Sequence, residues 1–226
     1  MKLIMLPGLD GTGELFSPLI DYFPEDFSFQ VISYPNTQIL SYVQLVEHVM
    51  GHLPVDEDYI LLAESFAGPL AYKIAQSKSK HLKQIIFVAS FIQIPNRLLE
   101  LTRLIPVPIL MPKQVPLWML KVVVGSRAKP LVYKLVQQAI NKVPKKVWIF
   151  RINEMRRWSP GANLIDYPCV YLQAKNDRLV SKSAAETIRV RSKSFELYQV
   201  EGSHFVLQVN PRECADRLVE IMKNIE

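Results

Sequence analysis

Ser65 stands in Ala63-Glu64-Ser65-Phe66-Ala67-Gly68, between small residues, where the apolar run Tyr59 to Ala63 gives way to a helical pattern. A serine hydroxyl becomes a nucleophile only when it is exposed and has a base beside it. Exposure on a sharp strand-to-helix turn strains the backbone, so the neighbours two before and two or three after the serine must be small. Ala63, Ala67 and Gly68 meet that demand, with alanine at both glycine places of the Gly-x-Ser-x-Gly pattern. The competing reading is a serine that caps the helix starting near Phe66. Other residues must decide between them.

Three further segments carry suitable groups. The opening apolar run ends in Leu6-Pro7-Gly8-Leu9-Asp10-Gly11-Thr12-Gly13, a glycine-rich loop whose backbone amides could point at an anion. Lys175-Asn176-Asp177-Arg178 places a carboxylate just after the run Cys169–Ala174, and Glu201-Gly202-Ser203-His204-Phe205 places an imidazole just after Phe195–Val200. His204 is the one histidine of four positioned to take a proton from Ser65, and Asp177 would hold its tautomer and stabilise its cation. Each has a plainer reading: Asp177 as a turn residue beside Asn176, and His204 as a hydrogen-bonded core histidine. No carboxylate occurs in Ser90-Phe91-Ile92-Gln93 after the preceding strand, and Asp166 comes before its strand, toward the opposite edge.

The elements that must position these groups alternate. Strands are predicted near Lys2–Leu6, Phe27–Ser33, Tyr59–Ala63, Lys83–Ala89, Cys169–Ala174 and Phe195–Val200. Helices fall at Glu14–Tyr22, Ile39–Leu53, Phe66–Lys78, Lys182–Arg191 and Arg212–Ile225. This alternation predicts an α/β protein with a mostly parallel six-stranded sheet and helices on both faces. It breaks once, between Ala89 and Cys169, where half of the 16 prolines lie from Pro95 to Pro160 and helices are expected in Leu98–Ile105, Leu117–Val124, Pro130–Asn141 and Lys145–Trp158. Residues 91–165 therefore read as a helical cap or lid inserted after the fourth strand, and 1–90 with 166–226 as the core.

Composition narrows the function classes. At 226 residues, 49% apolar, the chain suffices for one domain with a full core. The start lacks the pattern of a signal peptide, and no apolar run approaches the roughly 18 residues that span a bilayer, so a soluble, cytoplasmic protein is expected. Cys169 and Cys214 read as buried thiols. The net charge of +6 is local: residues 91–165 hold 13 Lys and Arg against Glu100 and Glu154, a net of +11, which leaves −5 elsewhere. That segment has few aromatics and no nucleic-acid motif, so no nucleic-acid partner is expected. His48 and His52 are one helical turn apart but lack a third ligand, so no metal site is expected. The glycines run G-x-x-G-x-G, with Glu14-Leu15 where a phosphate loop has Lys and Ser or Thr, so neither nucleotide fingerprint is met.

From Lys2 to its end the chain resembles an α/β-hydrolase that begins at the strand bearing the oxyanion loop and lacks two edge strands of larger members. The serine after the third strand, the aspartate after the fifth and the Gly-x-His after the sixth follow that superfamily's chain order. The resemblance implies a Ser65, Asp177, His204 triad and an oxyanion hole formed by the backbone amides of Leu9 and Phe66, with no metal or organic cofactor. The Leu-Pro-Gly-Leu-Asp-Gly-Thr-Gly loop and the Glu-Ser-Phe-Ala-Gly elbow are similar to lipid-acting esterases and to phytyl-ester-synthase-type acyltransferases. The acyltransferase signature H-x4-D is absent, since the fifth residue after His204 is Val209 and His52 reaches Asp56 one residue early.

The expected activity is a serine carboxylesterase or small lipase, cleaving esters of hydrophobic acyl groups through an acyl-serine. The alternatives are transfer of the acyl group to a lipid alcohol and, from another class, ligand binding on a hydrolase scaffold. The partner is thus a small-molecule or lipid ester. The cap's Lys113, Lys121, Arg127, Lys129, Lys134, Lys142, Lys145, Lys146, Arg151, Arg156 and Arg157 either solvate an outer face or rest on an anionic membrane.

Overall fold

The computed structural model describes residues 1–94, 117–126 and 128–225. Six strands form one sheet: β1 (Lys2–Leu6), β2 (Phe29–Val31), β3 (Tyr59–Glu64), β4 (Leu82–Val88), β5 (Cys169–Ala174) and β6 (Phe195–Val200). Their order is β2-β1-β3-β4-β5-β6, and every pairing is parallel.

Period-two alternation divides the core. Ile4, Leu6, Leu61, Ala63, Ile85, Phe87 and Tyr171 pack on one face against α2 (Tyr42–Met50), α3 (Gly68–Ala75) and α7 (Ser183–Arg189). Leu3, Met5, Ile60, Leu62, Ile86, Val88, Val170 and Leu172 pack on the other. There they meet α1 (Ser17–Ile20), α8 (Val206–Val209) and α9 (Pro211–Lys223). Both faces being covered explains the nearly unbroken apolar runs of β1, β3, β4 and β5. Cys169 and Cys214 lie in these two clusters as free thiols, and burial pushes each to about 12.

Register brings the carboxyl ends of the strands level. Leu6 pairs with Ala63, Glu64 with Val88, Val88 with Leu172 and Ala174 with Val200. Pairing continues past β5 and β6, where Lys175 N donates to Val200 O (3.0 Å) and Asn176 N to Gly202 O (2.9 Å). Asp177 and His204, three and four residues past that register point, are thereby drawn together.

Several boundaries differ from the periodicity for local reasons. The expected helix at Glu14–Tyr22 divides into a 3-10 turn, Glu14–Phe16, and α1, with Pro18 in its first turn. Helix α2 begins at Tyr42 because Ser41 and Gln44 form a reciprocal capping box. A separate short helix, α8, precedes Pro211, where α9 begins. Between β4 and β5 lie α4 (Leu117–Val123), α5 (Pro130–Lys142) and α6 (Lys145–Arg157). The helix expected at Leu98–Ile105 falls outside the described residues.

Candidate active site

The turn from β3 into α3 carries Ser65 at φ 48°, a left-handed conformation rare for a residue with a side chain. Its surroundings over-determine that strain. Ser65 O accepts from Ser90 Oγ at 2.6 Å and from the Gly68 amide. Ala63 and Ala67 are fully buried, and the space beside Gly68 is taken up by the Phe91 carbonyl. Ser65 begins a short 3-10 turn, Ser65–Ala67, that leads into α3, and its hydroxyl is turned to His204 and not to the amides of that turn.

That hydroxyl lies 2.9 Å from His204 Nε2, and His204 Nδ1 lies 2.9 Å from Asp177 Oδ2. With a carboxylate accepting at Nδ1–H, Nε2 is left as the acceptor for the Ser65 hydroxyl. The other carboxylate oxygen, Asp177 Oδ1, accepts from Leu179 N (2.8 Å) and Val180 N (2.9 Å), which fixes the carboxyl plane. Both His204 and Asp177 are nearly buried. Burial alone opposes a charged imidazole, but the charge and hydrogen bond of Asp177, with Glu64 behind them, outweigh it and hold His204 above the ordinary histidine range.

The loop after β1 passes over Ser65. A β-carbon at Gly8 would lie 3.7 Å from that of Ser65. Among the described residues the Leu9 amide makes no intramolecular hydrogen bond, while the Gly8 carbonyl accepts from Gly11 N. Sequence reasoning thus names five residues that the structure brings to one place: Leu9, Ser65, Phe66, Asp177 and His204. Asp166 lies elsewhere, beside Lys78 and Lys193. His48 and His52 are also apart, bonded to the carbonyls of Ser33 and His48.

Helices α4 to α6 overhang this group. Leu120, Val132, Val136 and Ala139 cluster with Leu15 and Phe205, and Val147 and Trp148 with Leu9. They enclose an apolar cavity of about 200 Å³ that opens on Ser65 and His204, with Val123, Val136, Ile140, Trp148 and Met155 among its walls. Ser203 Oγ donates to Val124 O, tying the histidine loop to the end of α4. Helix α6 is anchored on the core: Glu154 Oε2 accepts from Tyr42 N, and the Trp158 indole, just past its end, donates to Ile92 O.

Two charged residues near the site were not anticipated. Arg151, expected with the solvent- or membrane-facing bases, is 2% exposed, because its guanidinium turns inward onto the loop after β1. Glu64 is buried beside the nucleophile. Burial, partly opposed by a hydrogen bond from Gln208 Nε2, pushes its carboxyl up to about 7. The signal for Glu64 was present as a charge ending an apolar strand.

No protein-family model and no curated protein matches the sequence. Solved structures do resemble the chain. A lipase-esterase related protein from Clostridium acetobutylicum is 18% identical with a TM-score of 0.78, covering 100% of this chain and 94% of its own. An esterase from a Rhodococcus species is 13% identical with a TM-score of 0.80, covering 100% and 91%. A thioesterase of the prodiginine biosynthetic pathway in Streptomyces coelicolor is 16% identical with a TM-score of 0.69, covering 100% and 85%. What these proteins share with the chain is architecture: it has the α/β-hydrolase fold.

Proposed function

We propose that the protein is a serine hydrolase that cleaves carboxylic esters through an acyl-Ser65 intermediate. The observation that carries this reading is the hydrogen-bonded chain from Ser65 Oγ through His204 to Asp177, opening on an apolar cavity. Ser65 Oγ attacks the ester carbonyl carbon while His204 Nε2 takes its proton. The carbonyl oxygen becomes an oxyanion held by the amides of Leu9 and Phe66. Collapse expels the alcohol, which leaves with the proton from His204. Water, deprotonated by the same imidazole, then releases the acid and restores Ser65.

Residues 91–165 are assigned as the cap and 1–90 with 166–226 as the core, an arrangement supported by the cavity walls that α4 to α6 supply. A cavity of about 200 Å³ is small beside the roughly 300–1,000 Å³ usual for ligand pockets, which favours short or medium acyl groups. The test is reaction with a fluorophosphonate probe and turnover of p-nitrophenyl esters from acetate to palmitate, each with Ser65→Ala alongside. Ser65-dependent labelling, with turnover highest for the shorter chains, is expected. Absence of both overturns the assignment, and turnover that rises on adding a long-chain alcohol, with new ester formed, redirects it to acyl transfer.

The cap is also assigned a contact with anionic lipid. Trp118 is 67% and Leu131 73% exposed, and Lys121 and Lys134 on the same two helices and Lys129 just before the second are exposed too, an apolar and basic combination suited to such a surface. Co-sedimentation with anionic but not neutral vesicles, weakened by salt, is the expected result. Equal and salt-insensitive partitioning removes the contact. No helix among the described residues is long and apolar enough to cross a membrane.

A further inference from the structure

Oxyanion stabilisation depends on where a peptide plane points, and the plane carrying the Leu9 N–H is the one carrying the Gly8 carbonyl. In a trans peptide the two point in opposite directions. Gly8 O is held by Gly11 N at 3.1 Å, so the Leu9 amide faces away from that turn. The next two planes, which decide whether the turn keeps its shape, have no backbone donors on their carbonyls among the described residues. Both carbonyls are held instead by one side-chain nitrogen: Arg151 Nη1 donates to Leu9 O at 3.0 Å and to Asp10 O at 2.8 Å.

The guanidinium is itself fixed from the other side. Arg151 Nη2 donates to Pro35 O (3.3 Å) and Asn36 Oδ1 (3.1 Å), and its Cζ lies over the Tyr34 ring, 5.5 Å from the centroid. Gly11, at φ 68°, lets it approach, since a β-carbon there would meet Nη1 and the Tyr34 ring at 2.7 Å each. Tyr34 ties the same loop at its ends, donating from Oη to Pro7 O (2.9 Å) and from its amide to Gly11 O (2.8 Å). Burying a guanidinium is costly unless its donors are met. The acceptors given to this one are the oxyanion loop and the loop that follows β2.

We propose that Arg151 is a positioning residue for the oxyanion hole, a planar clamp from α6 that holds the Leu9–Asp10 turn in the shape that presents the Leu9 amide to the reacting carbonyl oxygen. This rests on the ester-hydrolase reading above. Trp148 and Met155, one turn to either side of Arg151, line the acyl cavity, so one helix both shapes the pocket and sets the electrophilic site. Lysine is no substitute, because an ammonium is a point donor that cannot bridge the two loops in one plane.

The test compares wild type, Arg151→Ala, Arg151→Lys and Tyr34→Phe, each first checked for folding by circular dichroism, on a p-nitrophenyl ester. Loss of an oxyanion donor lowers kcat by roughly 10²–10³, and Arg151→Ala is expected in that range with KM little changed. Millimolar guanidinium chloride should restore part of the loss where equal sodium chloride does not. Arg151→Lys should fall between, Tyr34→Phe should show a smaller kcat loss, and the acidic limb of kcat/KM, which belongs to His204, should not move. A folded Arg151→Ala or Arg151→Lys with wild-type kcat, or a loss confined to KM, overturns the Arg151 proposal while the hydrolase reading stands. Wild type without Ser65-dependent turnover overturns both. Should Arg151→Ala not fold, the Arg151→Lys measurement decides.

Discussion

A β-carbon on Gly68 would stand 2.1 Å from the carbonyl oxygen of Phe91. The glycine is required by this approach and not by its backbone angles, which are ordinary helical ones. The start of α3 is pressed against the chain leaving β4, and that contact lets Ser90 Oγ reach Ser65 O and hold the nucleophile at its positive φ. Gly68→Ala must push backbone away from backbone. Overpacking of this kind destabilises by roughly 1–3 kcal/mol, which in a domain of this size lowers Tm by about 2–4 °C per kcal/mol. A thermal melt is the check; an unchanged Tm would contradict the packing described.

Asp177→Asn should be far more damaging to rate than to stability. The amide oxygen can still accept from Leu179 N and Val180 N, which turns the NH2 group toward His204 Nδ1. Nδ1 must then act as acceptor, leaving the proton on Nε2, where Ser65 needs a base. A wrong tautomer of this kind lowers kcat by roughly 10⁴ with little change in KM. Steady-state kinetics on a p-nitrophenyl ester measure it, and a loss below tenfold would remove Asp177 from its role.

The pH profile follows from His204. The base must be neutral, and its proton is held above the ordinary histidine value because the Asp177 and Glu64 charges outweigh the effect of burial. The acidic limb of kcat/KM should therefore lie above the ordinary value of 6.5. Residual activity of Asp177→Asn should show the limb moved toward lower pH, since the larger of the favourable charges is gone. A wild-type limb below the ordinary value is the opposing result.

Glu64 predicts a stability that falls as pH rises. Its carboxyl goes from an ordinary 4.5 to about 7 in the folded protein, mainly through burial, so the fold binds this proton more tightly than the unfolded chain. The resulting contribution is complete below the lower value and is lost as pH rises through the upper one, a swing of roughly 3 kcal/mol at most. Glu64→Gln keeps an acceptor for Gln208 Nε2 and has no proton to lose. Urea unfolding should find the variant and wild type alike at about pH 4 and the variant more stable at about pH 8.5. Parallel curves across that range would refute the burial argument.

Much of this arrangement was legible because strand ends in a parallel sheet are also site positions. An apolar run followed by small residues around Ser65, and two runs followed by Asp177 and His204, needed only the assumption that the strands are parallel and adjacent. Lengths were less legible. Phe27 to Ser33 reads as a full strand, yet only Phe29–Val31 pairs, because an edge strand is limited by its single neighbour.

Arg151 marks the limit of pattern reading. It sits on the apolar stripe of α6, among Val147, Trp148, Ile152 and Met155, all buried with it. Counted with the other bases of a +11 segment, it passes for one more solvated cation. Its place on the stripe was the available signal.

The sequence by itself determined the fold class, the order of the strands' functional ends and the residue types that meet there, since periodicity and small-residue demands are local properties of the chain. Tertiary structure alone decided the two 2.9 Å contacts that join Ser65, His204 and Asp177, the size of the cavity above them and the inward turn of Arg151. Those depend on the register between β5 and β6, whose partners lie 26 residues apart, and on how α6 docks on a loop 142 residues before Arg151, relations between separate segments that no local pattern encodes.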